Sequence, residues 1–371
     1  MKLVIDGQRL DVRRTGVGRC LEGLIAEWSQ VGWPLDDVTV ALRDPTGLAH
    51  LPQPARSHAR VVGEGWPGLA WEMLALRKLL GPDDVLLAPA NLVPPNWRGR
   101  TVLILYDTLP WSPAGGLSWQ ARWRFKARYR YAARVATRIV VPSESTRRDV
   151  QQVHAIPDDR LRVVYPGPGP EFRPQALDSI EVKDARRHLG LGDASFFLFV
   201  GKRSARRNVP ALLAAFGRHI GEYPDHRLVF VGPAGGEPLP GRGSGVVDGG
   251  HVSEAVLRGL LGSALGLFYP SDYEGFGLPV VEAQASGCPV VTLTNSALVE
   301  SGGGAVLALD APDLKLLARA MGMLAADEAL RRDLIARGLA NVARFSRAAF
   351  ARGVAEEVRR VAGCQTSDAT T

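Results

Sequence analysis

Cysteine is scarce in this chain of 371 residues: Cys20, Cys288 and Cys364 are scattered and odd in number. That argues against a disulfide framework, and no Cys/His spacing resembles a zinc site, so a reducing cytoplasm is the expected setting. Long apolar runs are missing too. No segment approaches the roughly 20 apolar residues that span a bilayer, so an integral membrane protein is not expected. The first residues, MKLVIDGQRL, lack the apolar core and small-residue cleavage site of a signal peptide. A third absence is local. No acidic residue lies between Asp107 and Glu144, whereas Arg122, Arg124, Lys126, Arg128, Arg130, Arg134 and Arg138 all do. This stretch is a concentrated source of the net charge of +7, which favours an anionic partner: nucleic acid, a phospholipid surface or a phosphorylated substrate.

What is present has an α/β character. With 46% apolar and 22% charged residues the chain is globular rather than disordered. Its length exceeds one ordinary hydrophobic core, so two domains are expected. Short runs rich in Val, Ile and Leu read as strands over 3–6, 38–42, 85–88, 102–106 and 138–142, with helices at 19–28 and 119–136. Repeated strand–helix alternation predicts a parallel doubly wound sheet. Residues 164–174, VYPGPGPEFRP, are too rich in proline and glycine for helix or ladder. Beyond them the pattern repeats, with strands at 196–200, 228–231, 266–269 and 289–293 and a final helix over 347–361. The expected division is therefore a first domain over 1–165, a linker over 166–174 and a second domain over 175–345. A C-terminal helix over 346–363 packs back toward the first domain, and 364–371 form a disordered tail. Two such halves would leave a cleft between the carboxyl ends of their sheets, where open α/β sheets bind ligands.

The most informative stretch is 270–291, PSDYEGFGLPVVEAQASGCPVV. Gly275 and Gly277 flank Phe276 in a tight loop, Pro279 suits the first turn of a helix, and Gly287 supplies its stop. A glycine loop feeding a helix N-terminus attracts an anion through free N–H groups and the dipole. Glu274 stands just before that site and Glu282 lies further along the helix. Carboxylates touching a phosphate would repel it. They are better suited to accept hydrogen bonds from hydroxyl groups at the two ends of a ligand, one sugar-like and one ribose-like. By its chemistry alone, the stretch also fits a surface loop with solvated glutamates.

The segment as a whole resembles the donor-site signature of the family-4 retaining glycosyltransferases of the GT-B fold. The hallmark of that family is two glutamates separated by seven residues, matched here by Glu274 and Glu282. The resemblance implies an α/β architecture of two Rossmann-like, doubly wound parallel-sheet domains facing a central cleft. It also implies that Glu274 approaches the transferred sugar, that Glu282 holds the nucleotide ribose, and that the backbone of Phe276, Gly277 and Leu278 contacts sugar and phosphates.

Other segments agree with it. FVGKRSARRNVP, at 199–210, ends a strand and delivers Lys202, Arg203, Arg206, Arg207 and Asn208, cations that a diphosphate needs. Relatives carry an arginine and then a lysine where Lys202 and Arg207 stand, so each is the opposite basic type. TGVGR, at 15–19, offers Gly16 and Gly18 as the family's glycine loop toward donor phosphate and acceptor. Leu21 occupies the third-glycine position, so the dinucleotide fingerprint is incomplete. VLILYDTLP, at 102–110, places Tyr106 and Asp107 where many relatives have histidine-aspartate. A tyrosine can hydrogen-bond a sugar hydroxyl but, with an ordinary pKa near ~10, is a poor general base. Asp107 either orients the acceptor or caps the following turn. His251 and Val252, in GHVS, match the loop beside the nucleotide base, and Glu300 matches a position that closes the donor pocket.

Sugar-transferring enzymes of the other common architecture hold a divalent metal with Asp-x-Asp, which occurs nowhere in this chain. The expectation is thus no essential metal and no cofactor, with protein cations stabilising the leaving diphosphate. Retention, inferred from the family, proceeds by same-face attack with the leaving phosphate taking the acceptor's proton. The YDTLP and GVGR forms resemble bacterial mannosyltransferases of polysaccharide assembly, which favours a GDP-mannose-like donor and leaves UDP-glucose-type donors open. The acceptor is a glycan, a lipid-linked species or a small molecule. Two alternatives are an NAD(P)-dependent oxidoreductase with two Rossmann-like halves and a basic, non-catalytic nucleic-acid-binding protein, for which no RNA or DNA motif is found. Finally, Trp119, Trp123, Phe125, Tyr129 and Tyr131 interleave with the basic run. Either 119–134 docks on anionic lipid, making the protein peripheral on the inner face of the plasma membrane, or the aromatics face the core and the arginines face water. Basic residues appear all round the helical wheel, so both readings stay open.

Overall fold

The computed structural model describes residues 1–10, 16–241 and 243–364. The chain divides into two units. The first comprises Met1–Ser112, Leu117–Pro166 and the segment from Ser346 onward. Its sheet is built from β1 (Leu3–Asp6), β2 (Val38–Leu42), β3 (Ala59–Val61), β4 (Val85–Ala88), β5 (Thr101–Ile104), β6 (Arg138–Val141) and β7 (Leu161–Val163). All are parallel, in the order β3-β2-β1-β4-β5-β6-β7.

Every residue of β1, β2, β4 and β5 is buried, as a parallel sheet with both faces covered demands. Side chains alternate between the faces. Leu3 and Ile5 pack with Leu21, Leu24 and Trp28, whereas Val4 packs with Trp71, Leu76 and Ala132. The helix Arg347–Ala362 belongs to this unit. Its Phe350, Val354 and Val358 join the first of those clusters, and Trp28 Nε1 donates to the Ala351 carbonyl at 3.0 Å. A tryptophan so buried contributes on the order of 2–3 kcal/mol through its apolar area. Glu357 on the same helix is 1% exposed and pairs with Arg138 at 2.5 Å, so removing either partner would strand a buried charge.

The second unit comprises Pro113–Gly116 and Gly167–Phe345. Its strands are β8 (Phe196–Val200), β9 (Arg227–Val231), β10 (Val246–Gly250), β11 (Gly266–Tyr269), β12 (Val290–Leu293) and β13 (Leu307–Leu309). They too are parallel, in the order β10-β9-β8-β11-β12-β13. Phe196 and Leu198 face Leu260, Val280 and Ala283, whereas Phe197 and Phe199 face Leu212, Phe216 and Met321.

Both units thus have the parallel, doubly wound sheet expected from the sequence. Residues 164–174 contain neither helix nor strand. Along them the chain leaves the first core at Val164 and enters the second at Phe172. Some boundaries differ from expectation. The strand expected over 102–106 is Thr101–Ile104, and the helix expected at 19–28 starts at Gly16 and runs to Val31. Four strands, β3, β7, β10 and β13, were not expected at all. Thr15 of the TGVGR segment and residues 365–371 of the expected disordered tail lie outside the described residues.

Candidate functional site

In the second unit β8 lies between β9 and β11, so the chain departs from β8 and β11 toward opposite sides of the sheet. At such a switch point the carboxyl ends of the two neighbours border a crevice suited to a ligand. Two loops meet there. The first follows β8: Gly201 has φ +129°, and the Arg207 guanidinium occupies the space a Cβ would need. A short 3-10 turn, Ala205–Arg207, leads to Asn208, whose left-handed backbone (φ +50°) starts the helix Val209–His219. Asn208 Nδ2 donates to the Pro270 carbonyl at 2.9 Å and to Asp272 Oδ1 at 2.8 Å. The Asp272 N–H returns a bond to the Arg206 carbonyl at 2.9 Å. The loop after β8 is therefore fastened to the loop after β11.

Glu274 is the focus of this junction. Its Oε1 accepts from the Tyr269 hydroxyl at 2.9 Å and the Ser271 hydroxyl at 3.0 Å, and it pairs with Arg206 at 2.6 Å and Arg207 at 3.2 Å. Burial alone would raise its pKa. Arg207 and Arg206 outweigh that effect, with help from the two hydroxyls, and hold the carboxyl below the usual glutamate range. In turn burial, which would lower it, is outweighed at Arg207 by Tyr269 and Glu274, so its pKa is raised. The Arg207 guanidinium also lies 5.2 Å from the Tyr269 ring centroid. Two cations and one anion share a half-buried place, an excess positive charge suited to an anionic ligand.

Just beyond, Gly277 (φ +98°, ψ 49°) caps the helix Leu278–Ala285, with Pro in its first turn. A Cβ at Gly277 would meet Leu298 Cδ2 at 2.9 Å and Ser301 Oγ at 3.0 Å, so both dihedral and space require glycine. The helix is buried along most of its length, and Glu282 within it is only 3% exposed. Gln284 fixes its far end: it donates to the Gly302 and Ala305 carbonyls at 3.1 and 3.2 Å and accepts from Asn341 at 2.8 Å. Pro279 has no N–H and the Val280 N–H is bonded to the Gly277 carbonyl at 2.9 Å, so an N-terminus held this firmly presents chiefly its dipole to an anion.

The sequence matches the family description "Glycosyltransferase Family 4" over residues 14–171 and "Glycosyl transferases group 1" over residues 194–327. The chain belongs to the family-4 glycosyltransferases. It is 29% identical to the O-antigen chain mannosyltransferase B of Escherichia coli, over 56% of this chain and 56% of that protein. It is 32% identical to a D-inositol 3-phosphate glycosyltransferase of Acidothermus cellulolyticus, over 57% of this chain and 50% of that protein. The chain thus matches about half the length of these curated relatives. In fold it resembles the sucrose-phosphate synthase of Thermosynechococcus elongatus (TM-score 0.75, 18% identity, 97% of this chain and 99% of that one). It also resembles Anabaena HepE in complex with UDP-glucose (TM-score 0.74, 18% identity, 96% and 98%). The GT-B architecture follows from these likenesses and the two parallel sheets. Nothing in the comparisons supports an oxidoreductase or a nucleic-acid-binding protein.

The second unit holds Lys202, Arg207, Asn208, His251, Val252, Glu274, Phe276, Gly277, Leu278 and Glu282. Lys202 is exposed, and its carbonyl accepts from Arg207 Nη1 at 3.2 Å. Phe276 is 6% exposed and meets Phe345 edge-on at 5.3 Å, so its side chain serves the core. His251 is exposed after β10, while Val252 packs against the core and Glu300 lies in the short helix Leu298–Gly302.

Gly16, Gly18, Tyr106 and Asp107 belong to the first unit. Gly16 and Gly18 lie in the first turn of the helix Gly16–Val31 rather than in a loop before it. Tyr106 follows β5. Its hydroxyl is sealed from solvent beside Cys20, and burial, then that neighbour, push its pKa well above the usual tyrosine value. The Tyr106 ring packs against the core. Asp107 Oδ1 accepts from the Leu109 N–H at 3.0 Å, the turn-capping alternative.

Three groups at Glu274 were not singled out from sequence as its partners: Arg206, Tyr269 and Ser271. Arg206 stood in the basic run but was not paired with any carboxylate. Ser271 and Tyr269 lie three and five residues before Glu274, in a loop and at a strand end, where no helix or strand periodicity links them to it. The turn after β11 alone folds them back onto the carboxylate.

Proposed function

We propose that this protein transfers a hexose or deoxyhexose, with retention of anomeric configuration, from a nucleotide diphosphate donor to a hydroxyl of a glycan, lipid-linked or small-molecule acceptor. The observation that carries the reading is Glu274: a carboxylate kept ionised by Arg206 and Arg207, beside the Gly277 helix start, at the switch point of its sheet. In this reading the diphosphate lies over the helix N-terminus and engages Lys202 and Arg207. Negative charge grows on it as the glycosidic bond breaks, and the helix dipole and the two cations stabilise that charge. An arginine has five N–H donors, so one bound to Glu274 through Nε still has others for phosphate. Glu274 orients the sugar, Glu282 holds the ribose, and His251 and Val252 border the base. The leaving phosphate accepts the acceptor's proton, which calls for neither an enzymic nucleophile nor a metal.

The donor is proposed to be GDP-mannose-like. Support comes from the E. coli relative and from a 29% identical phosphatidyl-myo-inositol mannosyltransferase of Mycobacterium tuberculosis, over 45% of this chain. UDP-glucose in the HepE complex is the competing precedent. The same proposal keeps the protein peripheral at the inner face of the plasma membrane, through residues 119–134. The test is incubation with GDP-mannose or UDP-glucose in EDTA, with acceptor extracts from the source cell, and NMR of the product. An α-linked product from GDP-mannose is expected. A β-linked product contradicts retention, and turnover with UDP-glucose alone contradicts the donor.

A further inference from the structure

The helix Trp119–Val135 begins at Ser118, whose hydroxyl caps the Ala121 N–H. Its two faces divide the aromatic residues that the sequence left unassigned. Tyr129, Ala132 and Ala133 are buried against the sheet, and the Tyr131 hydroxyl reaches the Trp97 carbonyl at 2.7 Å. Arg128 also turns inward, to an ion pair with Glu72, a carboxyl 4% exposed and raised to about 7 mainly by burial. The opposite face is different. Trp119 is 71% exposed and Trp123 65%, and Arg124, Arg130 and Arg134 are exposed with them. Trp119, Trp123, Ala127, Arg130 and Arg134 follow at intervals of three and four, one stripe along one side of the helix. Among the described residues no acidic side chain pairs with Arg122, Arg124, Lys126, Arg130 or Arg134. Arg130 lies 5.6 Å from the Trp111 ring centroid and Arg124 5.9 Å from that of Phe125. Two large indoles left in water thus stand beside three guanidiniums with no carboxylate partner among the described residues, a surface suited to the boundary of an anionic layer.

We propose that this stripe seats on an anionic phospholipid bilayer, with the Trp119 and Trp123 rings at headgroup depth and Arg130 and Arg134, together with Arg124 flanking the stripe, on lipid phosphates. The inference rests on the peripheral-membrane reading and deepens it by assigning the contact face. Indoles are favoured at the headgroup level, where one edge is apolar and the other wet. Arginines near the surface add attraction within a screening length. Arg128 takes no part, because Glu72 holds it inside. No helix among the described residues is long and apolar enough to cross a membrane, so this contact is with the surface.

The test is co-sedimentation of the full chain with vesicles of phosphatidylcholine alone and of phosphatidylcholine with phosphatidylglycerol, without donor or acceptor. The expected result is binding to the anionic vesicles only, with release as salt rises from about 0.1 M to about 0.5 M. Trp119→Ser with Trp123→Ser, and separately Arg130→Ser with Arg134→Ser, each lower the partition coefficient about tenfold or more. The charge-matched pair Arg187→Ser with Arg332→Ser, exposed residues of the second unit, leaves it within about twofold. All four positions of the first two variants are exposed, so thermal melting and nucleoside diphosphate binding are expected to stay unchanged. Anionic binding that survives the tryptophan pair overturns the face assignment and leaves the peripheral reading standing. Failure of the unaltered protein to bind, or binding to a single-stranded oligonucleotide in place of vesicles, overturns both.

Discussion

Glu274→Ala is expected to lower sugar transfer by on the order of a hundredfold or more, while nucleoside diphosphate affinity changes by less than about fivefold. The asymmetry follows from where the side chain sits. Its carboxylate holds Arg206, Arg207, Tyr269 and Ser271, whereas the helix N-terminus at Gly277 and the ammonium of Lys202 stay in place without it. Loss of the anion also leaves two partly buried guanidiniums uncompensated, so some loss of stability accompanies the variant. Glu274→Gln separates the two effects: it keeps the volume and one acceptor oxygen, removes the charge, and should lose transfer with less loss of stability. The pH dependence has a definite sign. With its folded pKa below the usual glutamate value, the ionised group contributes stability above that value and loses it only as pH falls through the depressed one. No loss of fold should trace to Glu274 between neutral pH and the ordinary glutamate range. Isothermal titration and a transfer assay on the same preparations check the assignment. Weakened nucleotide binding with undiminished turnover would remove Glu274 from the reacting end of the donor.

Gly277→Ala is the second large expected effect. The left-handed backbone costs a side chain about 1–2 kcal/mol, and crowding against Leu298 and Ser301 adds about 1–3 kcal/mol. Because the residue caps the helix proposed to face the diphosphate, relief of the clash must move either the helix start or its neighbours. Nucleoside diphosphate affinity should therefore fall about tenfold or more. Gly304→Ala is the control, since Gly304 also has positive φ (+72°), but a methyl group there would meet nothing within 4 Å. It should show the strain in thermal melting and leave nucleotide affinity unchanged. Equal behaviour of the two variants would mean that Gly277 is needed for the backbone alone.

The interior of the fold was legible in the sequence because central strands of a parallel sheet are buried on both faces and read as unbroken apolar runs. β1, β2, β4, β8 and β11 match their expected boundaries. The four strands that went unseen, β3, β7, β10 and β13, are the edges of the two sheets. Their sequences, ARV, LRV, VVDGG and LAL, are short, and all four have residues that reach solvent or its margin, so no apolar run marks them.

The site divides in the same way. The spacing of Glu274 and Glu282 and the glycine before Pro279 are sequence-local and could be read directly. The clasp of Arg206, Tyr269 and Ser271 on Glu274 depends on two loops being fastened together at Asn208, which bonds a carbonyl 62 residues further along the chain, and no local pattern records that. Tyr106 shows the opposite difficulty: its position after β5 was plain, but the burial of its hydroxyl depends on the packing of the helix Gly16–Val31. The faces of the helix Trp119–Val135 were hidden because basic residues surround the wheel, and only Glu72, far away in sequence, draws Arg128 inside.

The central claim is a nucleoside diphosphate site in the second unit, built on the Gly277 helix start, Lys202 and Arg207. Calorimetric titration of the purified chain with UDP, GDP and ADP in EDTA tests it most directly. Tight binding of one diphosphate, with GDP the expected one, and its weakening in Gly277→Ala are the predicted results. A folded sample that binds none of the three, with or without added divalent metal, would contradict the account.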